Sequence, residues 1–212
     1  PEEVALFENL HHQLEEAGIT FGSDLSFLPL ELSEPTLDDT MPDNERVIRA
    51  VEAATGVPED AIMMPYSVLR DLSWVLRESD FHVKCVISRD NDRILIRDVL
   101  PIDNTEPIVG FALDLGTTSL AGVLVDLSTG KILAKASGGN GQIRYGADVI
   151  NRIIESDKTG GRKRLQDAVI KESIIPMLAQ MYRTAGINPR RIYRMVLAGN
   201  TTMNHLLLGL HA

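Results

Sequence analysis

Three strand-sized apolar runs, Val109–Leu115, Leu120–Asp126 and Lys131–Ser137, follow one another with only short turns between them. A chain that passes from strand to strand across four residues has no room for a crossover helix, so the first connection is a hairpin. Its turn reads Asp114-Leu115-Gly116-Thr117-Thr118-Ser119. Nucleotide loops of the Walker type (Gly-x4-Gly-Lys-Ser/Thr) and the dinucleotide type (Gly-x-Gly-x-x-Gly) run instead from a strand into a helix, and neither pattern occurs in the chain. The turn offers a glycine that allows close backbone approach, threonine hydroxyls and amides able to donate to phosphate oxygens, and a carboxylate able to face magnesium. Taken alone it also reads as a plain tight turn with β-branched neighbours.

Two further segments bear on that choice. Asn140-Gly141-Gln142-Ile143-Arg144-Tyr145-Gly146-Ala147-Asp148 leads into a helix whose apolar face is expected to hold Val149, Ile150, Ile153 and Ile154, with Gly160 and Gly161 ending it. A long helix over Leu165–Ala185, bent by Pro176, then precedes a buried strand over Ile192–Leu197. That strand delivers Ala198-Gly199-Asn200-Thr201-Thr202 to a helix over Met203–Leu208, leaving amides and small hydroxyls where an anion is stabilised. Asn200 and Thr201 also read as helix caps. Asp148 is either a site carboxylate or the start of its helix, and Arg144 either a phosphate contact or a surface charge.

Charge divides the chain. Residues 1–106 hold 23 acidic and 8 basic residues, net −15, whereas residues 107–212 hold 7 and 13, net +6. A shift of that size beside Pro101, Asp103, Asn104 and Pro107 places a domain boundary near Pro107. The acidic part excludes nucleic acid as its partner, since phosphate contacts need lysine and arginine; it reads as a solvated surface or as a docking face for a basic protein. Within it the patterning gives an amphipathic helix over Glu2–Glu16, with His11 and His12 as surface or packing residues, and a strand over Ser26–Leu32. Helices over Glu45–Ala54 and Tyr66–Glu78 follow, then a hairpin of Phe81–Ser88 and Arg93–Leu100, with Trp74 expected in the core. No run reaches the 18 to 20 apolar residues, approximately, that span a bilayer, and no secretory signal opens the sequence, so a cytoplasmic protein is expected. Cys85 is the one cysteine, which excludes an internal disulfide, a zinc ribbon and a self-contained iron–sulfur cluster with its approximately four ligands.

The segments GFALDLGTTSLAGVLVDLSTGKILA, NGQIRYGADVINRI and VLAGNTTMNHLLLG together resemble the ATPase domain of the reductive activators of corrinoid proteins, members of the acetate and sugar kinase, heat-shock chaperone and actin superfamily. The resemblance is strong over 107–212 and looser before it. It implies a linker helix over 1–25, a small α+β middle domain over 26–106, and over 107–212 the first lobe of a ribonuclease H-like (actin-like) ATPase domain with a mixed sheet. It further implies ATP and magnesium as ligands, with Asp114 holding the metal or positioning water, Gly116, Thr117 and Thr118 lining the phosphates, and Gly199, Asn200 and Thr201 facing the same cleft. The function implied is ATP-dependent reduction of a corrinoid cobalt from Co(II) to Co(I), with a corrinoid protein as partner, a homodimer as a further expectation, and a 2Fe-2S cluster in the whole protein but not in this chain. With the cluster cysteines and the second lobe lacking, the chain is expected neither to turn over ATP nor to transfer electrons alone. Gly141 stands where the family commonly has proline, which suggests a more mobile loop. A sugar or acetate kinase of the same superfamily and a non-catalytic docking fragment are the alternatives.

Overall fold

The computed structural model describes residues 16–18 and 22–212; the helix expected over Glu2–Glu16, with His11 and His12, lies outside them apart from Glu16. The first unit is built on β1 (Leu25–Glu31), α1 (Asp43–Thr55), β2 (Ile62–Met63), α2 (Tyr66–Glu78), β3 (His82–Asp90) and β4 (Arg93–Pro101). Its sheet has the order β1-β3-β4-β2, antiparallel except where the two-residue β2 runs parallel to β4. The hairpin turns at Asn91, one of three non-glycine residues with positive φ among the described residues, a conformation asparagine tolerates. α1 and α2 lay Val47, Val51, Val68, Leu72 and Leu76 on Val83, Cys85, Ile87, Ile94 and Ile96, closing one core.

Trp74 is not in that core: it is 68% exposed. The buried stripe of α2 is Val68, Leu72 and Leu76, spaced by four, and Trp74 stands two residues from both Leu72 and Leu76, on the opposite side. It lines instead a groove shared with Asp71, Asp98 and Arg191.

The second unit comprises β5 (Val109–Leu115), β6 (Ser119–Asp126), β7 (Ile132–Gly139), α3 (Val149–Asp157), α4 (Gly161–Val169), α5 (Ile175–Ala185), β8 (Ile192–Gly199) and α6 (Thr201–Leu208). Its sheet order is β7-β6-β5-β8: three antiparallel strands, then β8 parallel to β5 after the helical crossover. Mixed α/β architecture with two mixed sheets is thus present, the second in the arrangement of an actin-like lobe. Val109, Phe111, Leu113 and Leu115 of β5 face Leu165, Val169, Met177, Met181, Met203 and Leu206 of the helices.

Three expectations for the helices need correction. The long helix over Leu165–Ala185 is split by a π-helical turn at Ile170–Ile174 into α4 and α5, because Pro176, in the first turn of α5, has no N–H to continue the ladder. Gly161 opens α4 rather than ending the helix before it, and any Cβ there would lie 1.8 Å from the Glu155 carbonyl oxygen. α3 is rotated relative to the pattern: of the expected face Val149 and Ile153 are half-buried but Ile150 and Ile154 are exposed, while Arg152, Glu155 and Ser156 are buried. Glu155 is held by Arg164 and Lys158, and Arg152 by the turn described below.

The units share an apolar patch of Leu25, Val86, Leu100 and Ile108, against which Phe27, Leu127 and Tyr193 pack. Charges of opposite sign close around it. Arg191 donates to Glu106 Oε2 at 2.7 Å and Asp98 Oδ2 at 2.8 Å, Tyr193 donates to the same Asp98 oxygen at 2.8 Å, and Arg194 reaches Asp24 at 2.5 Å. Among the described residues no helix is long and apolar enough to cross a membrane.

Candidate functional site

β5 alternates, so Asp114 stands on the exposed side while Leu113 and Leu115 are buried. The chain then turns on Gly116, where a Cβ would sit 2.5 Å from the Ser119 carbonyl oxygen; no larger residue fits this reversal. The three carbonyls of the turn point inward and are all taken. Gly116 O accepts from Asn140 Nδ2 at 2.9 Å, Thr117 O from Arg152 Nη2 at 2.5 Å, and Thr118 O from the Asn140 amide at 2.9 Å. In a trans peptide the N–H points opposite to the C=O, and no peptide here is cis. Fixing the carbonyls of Gly116 and Thr117 inward therefore turns the amides of Thr117 and Thr118 outward, and neither has an acceptor among the described residues. Outward-facing successive amides form an anion-binding concavity.

Asn140 is the hinge of this arrangement. It ends β7, is 2% exposed, and accepts the Gln142 amide at 3.0 Å on the same side chain that donates to Gly116. The next residue, Gly141, donates its amide to Ser173 Oγ at 2.9 Å, a bond that proline could not make.

Parallel pairing of β8 with β5 sets Ala198 opposite Asp114 and Gly199 opposite Leu115. Gly199, Asn200 and Thr201 therefore emerge beside the turn. Asn200 caps α6 by accepting the Met203 amide at 2.9 Å, and its Nδ2 donates to Thr117 Oγ1 at 3.2 Å, tying the two segments together. The structure brings Asp114, Gly116, Thr117, Thr118, Gly199, Asn200 and Thr201 to one place, the carboxyl ends of two adjacent parallel strands, where open α/β sheets bind ligands. Asp148 and Arg144 are otherwise engaged. Both carboxylate oxygens of Asp148 meet Asn151 at 2.8 Å as the α3 cap, which holds its carboxyl below the usual range, and Arg144 pairs with Glu172 and lies over the Tyr145 ring.

Sequence reasoning missed Asn140 and Arg152, the two residues that impose the turn's conformation. Arg152 is fully buried and touches only neutral acceptors: Thr117 O, Gly146 O at 2.9 Å, Gln142 Oε1 at 3.1 Å and Met203 Sδ at 3.0 Å. Burial lowers its pKa, with Asp148 opposing at longer range, yet a guanidinium remains charged at neutral pH.

No group of three or more acidic, histidine or cysteine side chains among the described residues could by itself hold a metal ion. That fits magnesium only as a partner of a phosphate ligand, since this ion takes one or two protein carboxylates and completes its shell with phosphate and water; Asp114 is the carboxylate in place. An iron–sulfur cluster does not fit this chain, whose one cysteine, Cys85, lies buried in the first core with its thiol pushed up to about 12 by burial and by Asp98.

The antiparallel-then-parallel sheet, with two polar turns meeting at its carboxyl edge, defines a lobe of the actin-like class. The family described as RACo linker region matches residues 14–106, and that described as RACo middle region matches residues 109–212. The chain belongs to the reductive activators of corrinoid proteins. The corrinoid activation enzyme RamQ of Eubacterium limosum is 35% identical over 157 residues, covering 73% of this chain and 26% of the relative. The solved structure of a reductive activator for corrinoid, iron–sulfur protein aligns over 91% of this chain and 30% of that one, with 31% identity and a TM-score of 0.73. The chain thus spans less than a third of either relative's length. The segment read from sequence as a middle domain, 26–106, falls within the linker-region match, and that read as the first ATPase lobe, 107–212, contains the middle-region match.

Proposed function

We propose that the chain provides one wall of a magnesium–ATP site in an activator that returns the cobalt of a corrinoid protein from Co(II) to Co(I). The observation that supports this most directly is the inward anchoring of three successive carbonyls at Gly116–Thr118, which frees the Thr117 and Thr118 amides for phosphate oxygens beside the Asp114 carboxylate. The Thr117 hydroxyl, placed by Asn200, and the Gly199–Thr201 segment border the same space. Magnesium, held through Asp114 and the phosphates, would neutralise charge on the terminal phosphoryl group.

Asp114 is exposed, whereas phosphoryl chemistry is favoured where water is excluded and dipoles are fixed. This wall accordingly binds and orients the phosphates, and catalysis requires closure by a second surface. Cobalt reduction is uphill for ordinary donors, and ATP can drive it only by binding two arrangements of the activator with different affinity. β5 gives that difference a route: it begins beside the buried Ile108 at the joint between the units and ends at the phosphate turn seven residues later. The corrinoid partner follows from the relatives' names, and the excess acidic charge of the first unit suits a basic docking face.

The test is Asp114→Ala in the intact activator. Magnesium-dependent ATP hydrolysis is expected to fall by about a hundredfold or more, with the thermal unfolding midpoint unchanged. Full hydrolysis in that variant, or an ATP analogue crystallised far from Gly116, removes the assignment.

A further inference from the structure

Among the described residues Arg152 is the largest side chain without exposure, and it reaches no carboxylate. The nearest candidate, Asp148, bonds to Asn151 and acts on Arg152 only at longer range. A buried charge with no carboxylate in contact is costly, and a core residue kept for packing alone would avoid it. Its position offers a reason. Arg152 Nη2 meets Thr117 O, and the other end of that same peptide is the Thr118 amide, directed away from the guanidinium. The positive charge thus lies behind a peptide dipole whose positive end faces outward, and the two fields add at the outer surface of the turn.

We propose that Arg152 is a positioning residue for a polyphosphate ligand: it fixes the Thr117–Thr118 peptide, and its buried charge, which no carboxylate contacts, is further compensated through that peptide by the bound anion. The inference rests on the phosphate reading of the turn and adds to it a residue behind the turn whose loss weakens binding of the anionic part of the ligand.

The experiment compares the intact activator with its Arg152→Gln variant, which keeps hydrogen-bonding capacity and loses the charge. Calorimetric titration uses magnesium–ATP, magnesium–triphosphate and adenosine, and thermal unfolding is followed without ligand. Affinity for ATP and triphosphate is expected to fall about tenfold, equivalent to about 1.4 kcal/mol, with adenosine affinity unchanged, while the ligand-free midpoint falls because glutamine cannot reach every acceptor that arginine meets. A merely structural arginine would give parallel losses for adenosine and triphosphate, and that result overturns the proposal, as does an unchanged triphosphate affinity. Should Arg152→Gln fail to fold, Arg152→Lys retains the charge without the planar fork. Retained triphosphate affinity in that variant supports the role of charge, and a loss shared equally with adenosine overturns it. Failure of the site reading shows separately, as absence of triphosphate binding in the unsubstituted protein.

Discussion

Arg191→Met tests whether the two units are held together by the charges at their joint. The side chain of Arg191 is 12% exposed, and its two bonds go to carboxylates that are 27% and 30% exposed, Asp98 and Glu106. Methionine keeps much of the apolar stem and removes the fork. A charge-assisted bond contributes about 1.5 to 3 kcal/mol when buried, and breaking a buried pair costs about 3 to 5 kcal/mol. Discounting for the partly exposed carboxylates gives a loss of about 3 kcal/mol. For a chain of this size that lowers the midpoint by about 6 to 12 °C, readable by differential scanning calorimetry. The loss has a pH signature. Desolvation pushes Glu106 upward, but hydrogen bonds from Arg191 and Asn104 and the charge of Arg191 outweigh it and hold the carboxyl below its ordinary value. A depressed folded pKa stabilises at neutral pH, fully so above the unfolded value of about 4.3, and the contribution disappears as pH falls through the lower folded value. Between pH 7 and pH 3 the gap between wild type and variant should therefore close. A midpoint change under about 2 °C at pH 7, or a gap of equal size at pH 3, would refute the reasoning.

Gly116→Ala places a Cβ 2.5 Å from the Ser119 carbonyl and is expected to cost about 1 to 3 kcal/mol together with triphosphate affinity. Gly139→Ala, where nothing lies within 4 Å, is the control, and equal midpoints for the two variants would show that the turn tolerates a side chain. Cys85, buried with its thiol pushed up to about 12, is expected to resist a thiol reagent until the first unit unfolds; prompt stoichiometric labelling of the native protein would contradict its placement.

Strands were the most legible elements, because β5 and β6 alternate or run apolar between turns whose chemistry is local: β5 was read at its observed bounds, and the hairpin at Asn91 and Asp92 lies where the polar cluster puts it. The candidate site was legible for the same reason, since Asp114–Thr118 and Gly199–Thr201 follow strand ends that parallel pairing sets side by side. Trp74 was legible too, had the four-residue stripe of Val68, Leu72 and Leu76 been extended to ask which side it leaves for residue 74. α3 was not. Its isoleucines at 150, 153 and 154 describe an inward face that the fold places partly in solvent, and no period in the sequence marks Arg152 as the residue that goes in. What decides the matter is a carbonyl at Thr117, 35 residues earlier, whose orientation exists only once the hairpin is closed and Asn140 has taken its neighbours. Periodicity weighs apolar area against water; it has no means of weighing a guanidinium against a set of acceptors assembled from three separate segments. A helix that buries its arginine and exposes two of its three isoleucines is a conflict between local pattern and global fold, and such conflicts persist where function requires them. In this lobe the helix that buries its arginine is the one whose arginine grips the turn, so the place where the local pattern fails is the place where a distant segment claims the side chain.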